Sequence, residues 1–274
     1  FSVACTGSRP VSDRGFRNRV RRVIARNYAP EYSITCDVLL VVPKLDEWAG
    51  VQRAFGATFD SPDQELPSGN AIYRIHVSGL HATPHAEDAE QLDAAILVVD
   101  DQGNSPIARA TSEALEALDP PLAFLIGTAA GKPGTASVGS VVLSVGIHDI
   151  TESRREGGRT RYRPRYLEAP GKIRREAGNF QMQNYTNDKL QRFLEAEDDG
   201  GALIGEEPAT VSMEHLASGA SLVVDPIALE EIWDVDDRIR AYDMDSSGFA
   251  EEAQRRDGLM WLVVRGISDY GSPE

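Results

Sequence analysis

Cysteine is almost missing from this chain. Cys5 and Cys36 are the only two, and they form no CxxC spacing, so neither a disulfide framework nor a thiolate metal cage can be built from them. That usage suits a reducing compartment, and a cytoplasmic location is expected. Long apolar runs are also missing. VLLVVP and MWLVV fall well short of the roughly 20 residues a membrane-spanning helix needs, and no signal peptide is visible, so no membrane partner is expected. Positive charge is scarce. Lys plus Arg is 28 against 43 Asp plus Glu, a net charge of −15, which argues against nucleic acid or anionic membrane as a partner. His76, His81, His85, His148 and His215 show no HExxH-type spacing, and HATPH is a loose pair in a loop, so no metal and no cofactor are expected. There is no GxSxG elbow, and GTAAGKPG lacks the order of a phosphate-binding P-loop. That turn can still bring the backbone N–H groups of Thr128 and Ala129 to a water, a phosphate or a sugar oxygen.

What is present is one sizeable core. The chain has 274 residues at 41 % hydrophobic content. Residues 1–33 stand apart: SDRGFRNRVRRVIARNYAP is arginine-rich, with Phe16, Val20, Val23 and Ile24 at helical spacing and Pro30 to close a short helix or linker. The chain opens on Phe1, not methionine, and is expected to be part of a longer, multidomain protein. Residues 34–274 read as one domain. CDVLLVVP, AILVVDDQ, LAFLIGTAAG, VGSVVLSVGIHDI and WLVVRGISDYG are strands, and LDEWAGVQRAFG, SPIARATSEALEALDPP and TNDKLQRFLEAED are helices. Residues 151–175 are rich in arginine and read as an irregular or extended excursion. The alternation predicts an α/β fold, a three-layer αβα sandwich around a central mixed, largely parallel sheet. Ligands bind such sheets beyond the carboxyl ends of the strands, which places LIGTAAG and RGISD on one edge.

Asp269 follows an apolar strand, where partial desolvation would raise its pKa toward general-acid work, although a turn aspartate would look the same. Arg265 precedes it. Asp243 and Asp245 flank Met244 at the mouth of a helix. Such acids either cap the helix or accept hydrogen bonds from a sugar diol.

These segments resemble the nucleoside phosphorylase and nucleosidase superfamily, the group of purine nucleoside phosphorylase, AMP nucleosidase and methylthioadenosine/S-adenosylhomocysteine nucleosidase. DMDSSGFA followed by VVRGISD is similar to the family's Met-Glu helix and R-x-I-S-D strand end. SMEHLASGASLVV is similar to its serine-glycine turn, and LIGTAAG with VGSVVLS to its glycine-rich turn and following strand. The resemblance implies that Asp269 protonates or hydrogen-bonds purine N7, with Ser268 orienting it. Met244 and Asp245 fall at the pair that holds ribose, here with aspartate one methylene shorter. Leu222 and Val223 fall where the base is lined. Glu47 and Arg265 fall at the pair that places a water in the hydrolases.

Phosphorylases of the family hold phosphate with a basic residue just before the glycine turn. FLIGTAAG is apolar there, so hydrolysis is expected. The basic excursion, including Arg163 and Arg165, is expected to favour nucleotides by contacting 5′ phosphates. The resemblance thus implies a purine, chiefly adenine, nucleotide N-glycosidase acting on ATP- or AMP-like substrates. A homo-oligomer is expected, as is a place as effector domain of an antiphage defence protein. The alternatives are a purine nucleoside phosphorylase and a non-catalytic nucleotide-binding module.

Overall fold

The computed structural model describes residues 36–271 apart from 57–58, 60, 79–90, 158, 183–187, 189, 191, 193–207 and 224. The arginine-rich segment 1–33, the HATPH loop and most of the helix expected over 186–198 lie outside the described residues.

β1 (Val38–Val42) is buried at every position, as a five-residue apolar run must be when both faces of a strand are covered. It pairs in parallel with β4 (Gln91–Val98) on one side and β5 (Leu122–Gly131) on the other. β5 in turn pairs in parallel with β12 (Met260–Asp269). Beyond β4 the sheet turns antiparallel through β3 (Ala71–Ser78) to the short β2 (Gln64–Glu65). Beyond β12 it continues antiparallel to β6 (Val141–Asp149), then parallel through β10 (Val211–Ser218) to β11 (Ile239–Asp243). β11 then meets the far end of β5 at Ala241↔Gly131 and Tyr242↔Ala130. Five strands, β5, β12, β6, β10 and β11, therefore close on themselves while β1 to β4 extend as an open sheet. Closure removes two sheet edges.

The described helices are α1 (Leu45–Phe55), α2 (Asn104–Leu118), α3 (Gly171–Gln181), α4 (Pro226–Trp233) and α5 (Ser246–Gln254). The largest core cluster joins Leu39, Val41, Ile96, Leu97, Leu125 and Val263, all fully buried. A second cluster under α4 holds Ile150, Leu229, Ile232, Trp233 and Tyr242. The architecture is the expected αβα sandwich with a mixed, largely parallel sheet.

The basic excursion is largely extended. Residues 151–175 are ordered into a hairpin, β7 (Ser153–Glu156) with β8 (Arg159–Tyr162), then β9 (Arg165–Glu168) paired antiparallel with β6, then the start of α3. Acids within or near the segment offset its charge: Glu156 lies 3.8 Å from Arg154 and 3.7 Å from Arg161. Leu167, Ala169 and Ile173 join the buried core.

Candidate active site

Arg265 is the hub. It leaves the middle of β12 fully buried, opposite Gly127 of β5 in the strand register. Its Nη2 lies 2.5 Å from Asp243 Oδ2 and 3.3 Å from Asp245 Oδ2. Both carboxylates are buried. Asp243 ends β11, and its Oδ1 also accepts from the backbone N–H of Ser246 at 3.2 Å. Asp243 thus holds the first turn of α5 as well as the guanidinium, whereas Asp245 makes no capping bond. Asp245 instead reaches across the molecule, where its Oδ1 accepts from Gly103 N–H at 2.8 Å, fixing the loop that opens α2. Burial works against the charge of Arg265, but Asp243, Asp245 and Glu47 together outweigh it and hold its pKa above the usual arginine value. Burial also raises the Asp245 carboxyl, with Arg265 opposing and Asp243 adding to the rise. Removing one member of such a buried set leaves an uncompensated charge, at a cost of about 3–5 kcal/mol.

Glu47 approaches from the other side. The chain leaves β1 through Pro43 and Lys44, which puts Glu47 in the first turn of α1, where the helix dipole favours an acid. Its Oε1 accepts from Thr128 N–H (2.7 Å) and Thr128 Oγ1–H (2.9 Å). Burial raises its pKa above the ordinary glutamate value, with Arg265 and Thr128 opposing that rise.

Gly127 is where the two sides meet. A Cβ built there would overlap Arg265 Nη1 and lie 2.8 and 2.9 Å from the two Glu47 oxygens. Only a residue without a side chain lets both groups converge on that point. They do not bond each other: Glu47 Oε2 and Arg265 Nε and Nη1 are buried without a hydrogen-bond partner in the protein. An acceptor, Glu47 Oε2, and a donor, Arg265 Nη1, thus both lie beside Gly127. Buried polar groups of this kind call for a polar partner, and a water suits both the space and the donor-acceptor set.

Two and four residues beyond Arg265, β12 carries a bulge between Ile267 and Asp269. The extra residue, Ser268, re-aims the strand end. Ser268 Oγ–H donates to Asp269 Oδ2 at 2.7 Å, and Gly271 N–H donates to Asp269 Oδ1 at 2.6 Å. Asp269 is exposed, so the desolvated setting expected from its apolar strand is absent: burial stops at Ile267.

The structure brings Glu47, Thr128, Asp245 and Arg265 together. Thr128 is exposed, Ala129 buried and Met244 half-buried between the two aspartates. Leu222 is 74 % exposed, while Val223 packs against the cluster under α4. Arg163 and Arg165 are not drawn in. Arg163 is exposed and uses its backbone N–H on Glu152 O at 2.8 Å. Arg165 Nη2 lies 2.9 Å from both Asp149 and Glu251, tying β9 to β6 and α5.

Sequence reasoning missed three contributors. Asp243 was read as a helix cap or a diol acceptor and not as an ion-pair partner, yet it is the nearest carboxylate to Arg265. Lys44 acts electrostatically on both Glu47 and Asp245 and lines an open groove of about 240 Å³ with Asp46, Asp100 and Gln102. Its place right after the first buried strand was the available signal. Asn104 donates through Nδ2 to Gly219 O (2.9 Å) and accepts at Oδ1 from Gly248 N–H (3.0 Å), locking α2, α5 and the end of β10 together.

No family model matches the chain. It is 24 % identical over 245 residues to the ATP nucleosidase Cap17 of Escherichia coli strain KTE188, a match that covers 86 % of this chain and 46 % of that protein. The chain thus spans about half the length of the curated relatives it matches. Among solved structures, the 5′-methylthioadenosine/S-adenosylhomocysteine nucleosidase of Neisseria meningitidis, in complex with methylthio-immucillin-A, superposes with a TM-score of 0.59 at 14 % identity, covering 86 % of this chain and 87 % of that one. The futalosine hydrolase of Helicobacter pylori strain 26695 gives 0.60 at 13 %, covering 87 % and 86 %. The chain therefore shares its αβα fold with these two enzymes.

Proposed function

We propose that the chain is an N-glycosidic hydrolase of purine nucleotides, with water as the nucleophile. The observation that carries this reading is the convergence of Glu47 and Arg265 over Gly127, each with buried polar atoms turned to the same space. Arg265, locked by Asp243 and Asp245, orients the water. Glu47, whose raised pKa brings it nearer to neutral pH, accepts the proton as the water attacks C1′ of the ribose. Three carboxylates against one guanidinium leave the cluster net negative, which favours the oxocarbenium-like cation that develops as the C1′–N9 bond breaks. Asp269, oriented by Ser268, protonates or hydrogen-bonds purine N7 so that the base leaves neutral. Both oxygens of Asp245 are engaged, but each keeps a lone pair, and these accept the ribose hydroxyls beside Met244. Thr128 and Ala129 line the sugar, and Leu222 and Val223 cover the base. ATP is the first substrate to try, because the relatives at 24 % identity are named for it.

Lys44 favours a second reading, phosphorolysis, since it supplies the anion partner missing before the glycine turn. The experiment is base release from ATP, AMP and adenosine in isotope-labelled water, with and without inorganic phosphate. Phosphate-independent adenine release with label on the sugar C1′ is expected. Ribose 1-phosphate formed only when phosphate is present would establish the phosphorylase instead.

A further inference from the structure

We propose that His148, His215 and Asp236 form a binding site for a divalent first-row transition ion, zinc being the natural occupant for two imidazoles and one carboxylate. His148 Nε2 and His215 Nδ1 lie 3.0 Å apart, and His148 Nε2 lies 3.8 Å from Asp236 Oδ2. All three ligand atoms fall within 4.8 Å of one another. Metal–nitrogen bonds of 2.0–2.1 Å in a tetrahedron put two nitrogens about 3.3 Å apart, so the two imidazoles need part by only a few tenths of an ångström, while Asp236 must draw closer to them to complete the site. Two nitrogens and one carboxylate oxygen are a borderline donor set, suited to zinc, cobalt or nickel and not to calcium or magnesium.

The fold builds this site with care. His148 lies near the end of β6 and His215 on the neighbouring β10, separated by 67 residues in the chain. Asp236 lies in the turn that leads from α4 into β11. Tyr166 of β9 packs over the pair, its ring 5.2 Å from His148 and 5.5 Å from His215, and stacks on the latter at 21°. Room for that ring exists because position 146 is glycine: a Cβ there would run into the Tyr166 phenol. Arg238 grips Asp236 through its backbone N–H (3.0 Å) and Nε (2.9 Å) on Oδ1 and through Nη2 (2.8 Å) on Oδ2, so the carboxylate is held in place with acceptor capacity left on Oδ2, the oxygen that faces His148. The charged groups around the pair are therefore Asp236 and Glu168 on one side and Arg238 on the other. His148 is buried and His215 half-buried, so an ion would displace the proton that the two nitrogens share. An ion here would pin β6, β10 and the entry to β11, the strand that ends on Asp243. The site takes no part in bond cleavage and stands whether or not the glycosidase reading does.

The test is equilibrium dialysis of the chelator-treated 274-residue chain against zinc, with elemental analysis. The wild type should retain one ion more than His148→Ala, His215→Ala or Asp236→Asn, and cobalt should give visible bands of a nitrogen–oxygen site. Saturation at about a hundredfold excess over Kd should raise the Tm by about 5 °C. His81→Ala/His85→Ala should keep the ion. If buried His148→Ala does not fold, the half-buried positions His215 and Asp236 carry the comparison. Equal zinc content in wild type and these variants, or no binding at millimolar zinc, overturns the proposal.

Discussion

Replacing Gly127 with alanine adds one methyl group, at the point where Glu47 and Arg265 meet. The backbone tolerates it, since Gly127 does not adopt the left-handed conformation. The space does not. The new Cβ overlaps Arg265 Nη1, and Arg265 is fully buried with its other nitrogen held by Asp243. Moving the guanidinium means loosening a buried ion pair, and moving Glu47 means giving up its bonds to Thr128. Overpacking of this kind costs about 1–3 kcal/mol of stability. The catalytic cost should be larger in proportion. A reacting group displaced by about 1 Å loses on the order of 10² in rate, and the methyl also occupies the space assigned to the water. Gly266 is the matched control: it pairs with Thr128 on the adjacent strand, and a Cβ there meets nothing within 4 Å. Chromatographic adenine release measures kcat and KM, and urea titration measures stability. Gly127→Ala should lose at least a hundredfold in kcat with KM changed little, while Gly266→Ala keeps its rate within a fewfold. A Gly127→Ala protein that folds and turns over normally refutes the placement of the water between Glu47 and Arg265.

Asp269→Asn should keep the fold, because the side chain is exposed, and should lose about 10² to 10⁴ in turnover; unchanged turnover by the same chromatography removes Asp269 from the mechanism. Glu47→Gln should abolish the acid limb of the kcat/KM profile, which in the wild type lies above the ordinary glutamate value of 4.5. The same variant carries a stability signature. A carboxyl whose folded pKa is raised contributes stability below its unfolded value and loses it as pH rises through the folded one. Urea midpoints should therefore favour Glu47→Gln over wild type at pH 7 and show no such gain at pH 4.

By itself the sequence determined the layers. Val38–Val42 and Met260–Val264 are apolar runs too short for helices and too continuous for a half-exposed sheet, so buried strands follow from local pattern alone. Position along the chain also placed the LIGTAAG and RGISD segments on one edge, because parallel strands point their carboxyl ends the same way, while Glu47 was legible only through the resemblance. Tertiary structure decided what those residues do to one another. Asp245 bonds Gly103 across 142 residues and Glu47 bonds Thr128 across 81, separations at which spacing carries no information. The same holds for Asp243 as the closest partner of Arg265, for the closure of β11 onto β5, and for His148 beside His215. The arginines of residues 151–175 looked free in one dimension, since the carboxylates that occupy Arg165 come from Asp149 on β6 and Glu251 on α5. Hydrophobic periodicity is a local property and survives reading in a line. The pairing of charges is set by which strand ends the closed sheet brings together, and that exists only once the chain has folded.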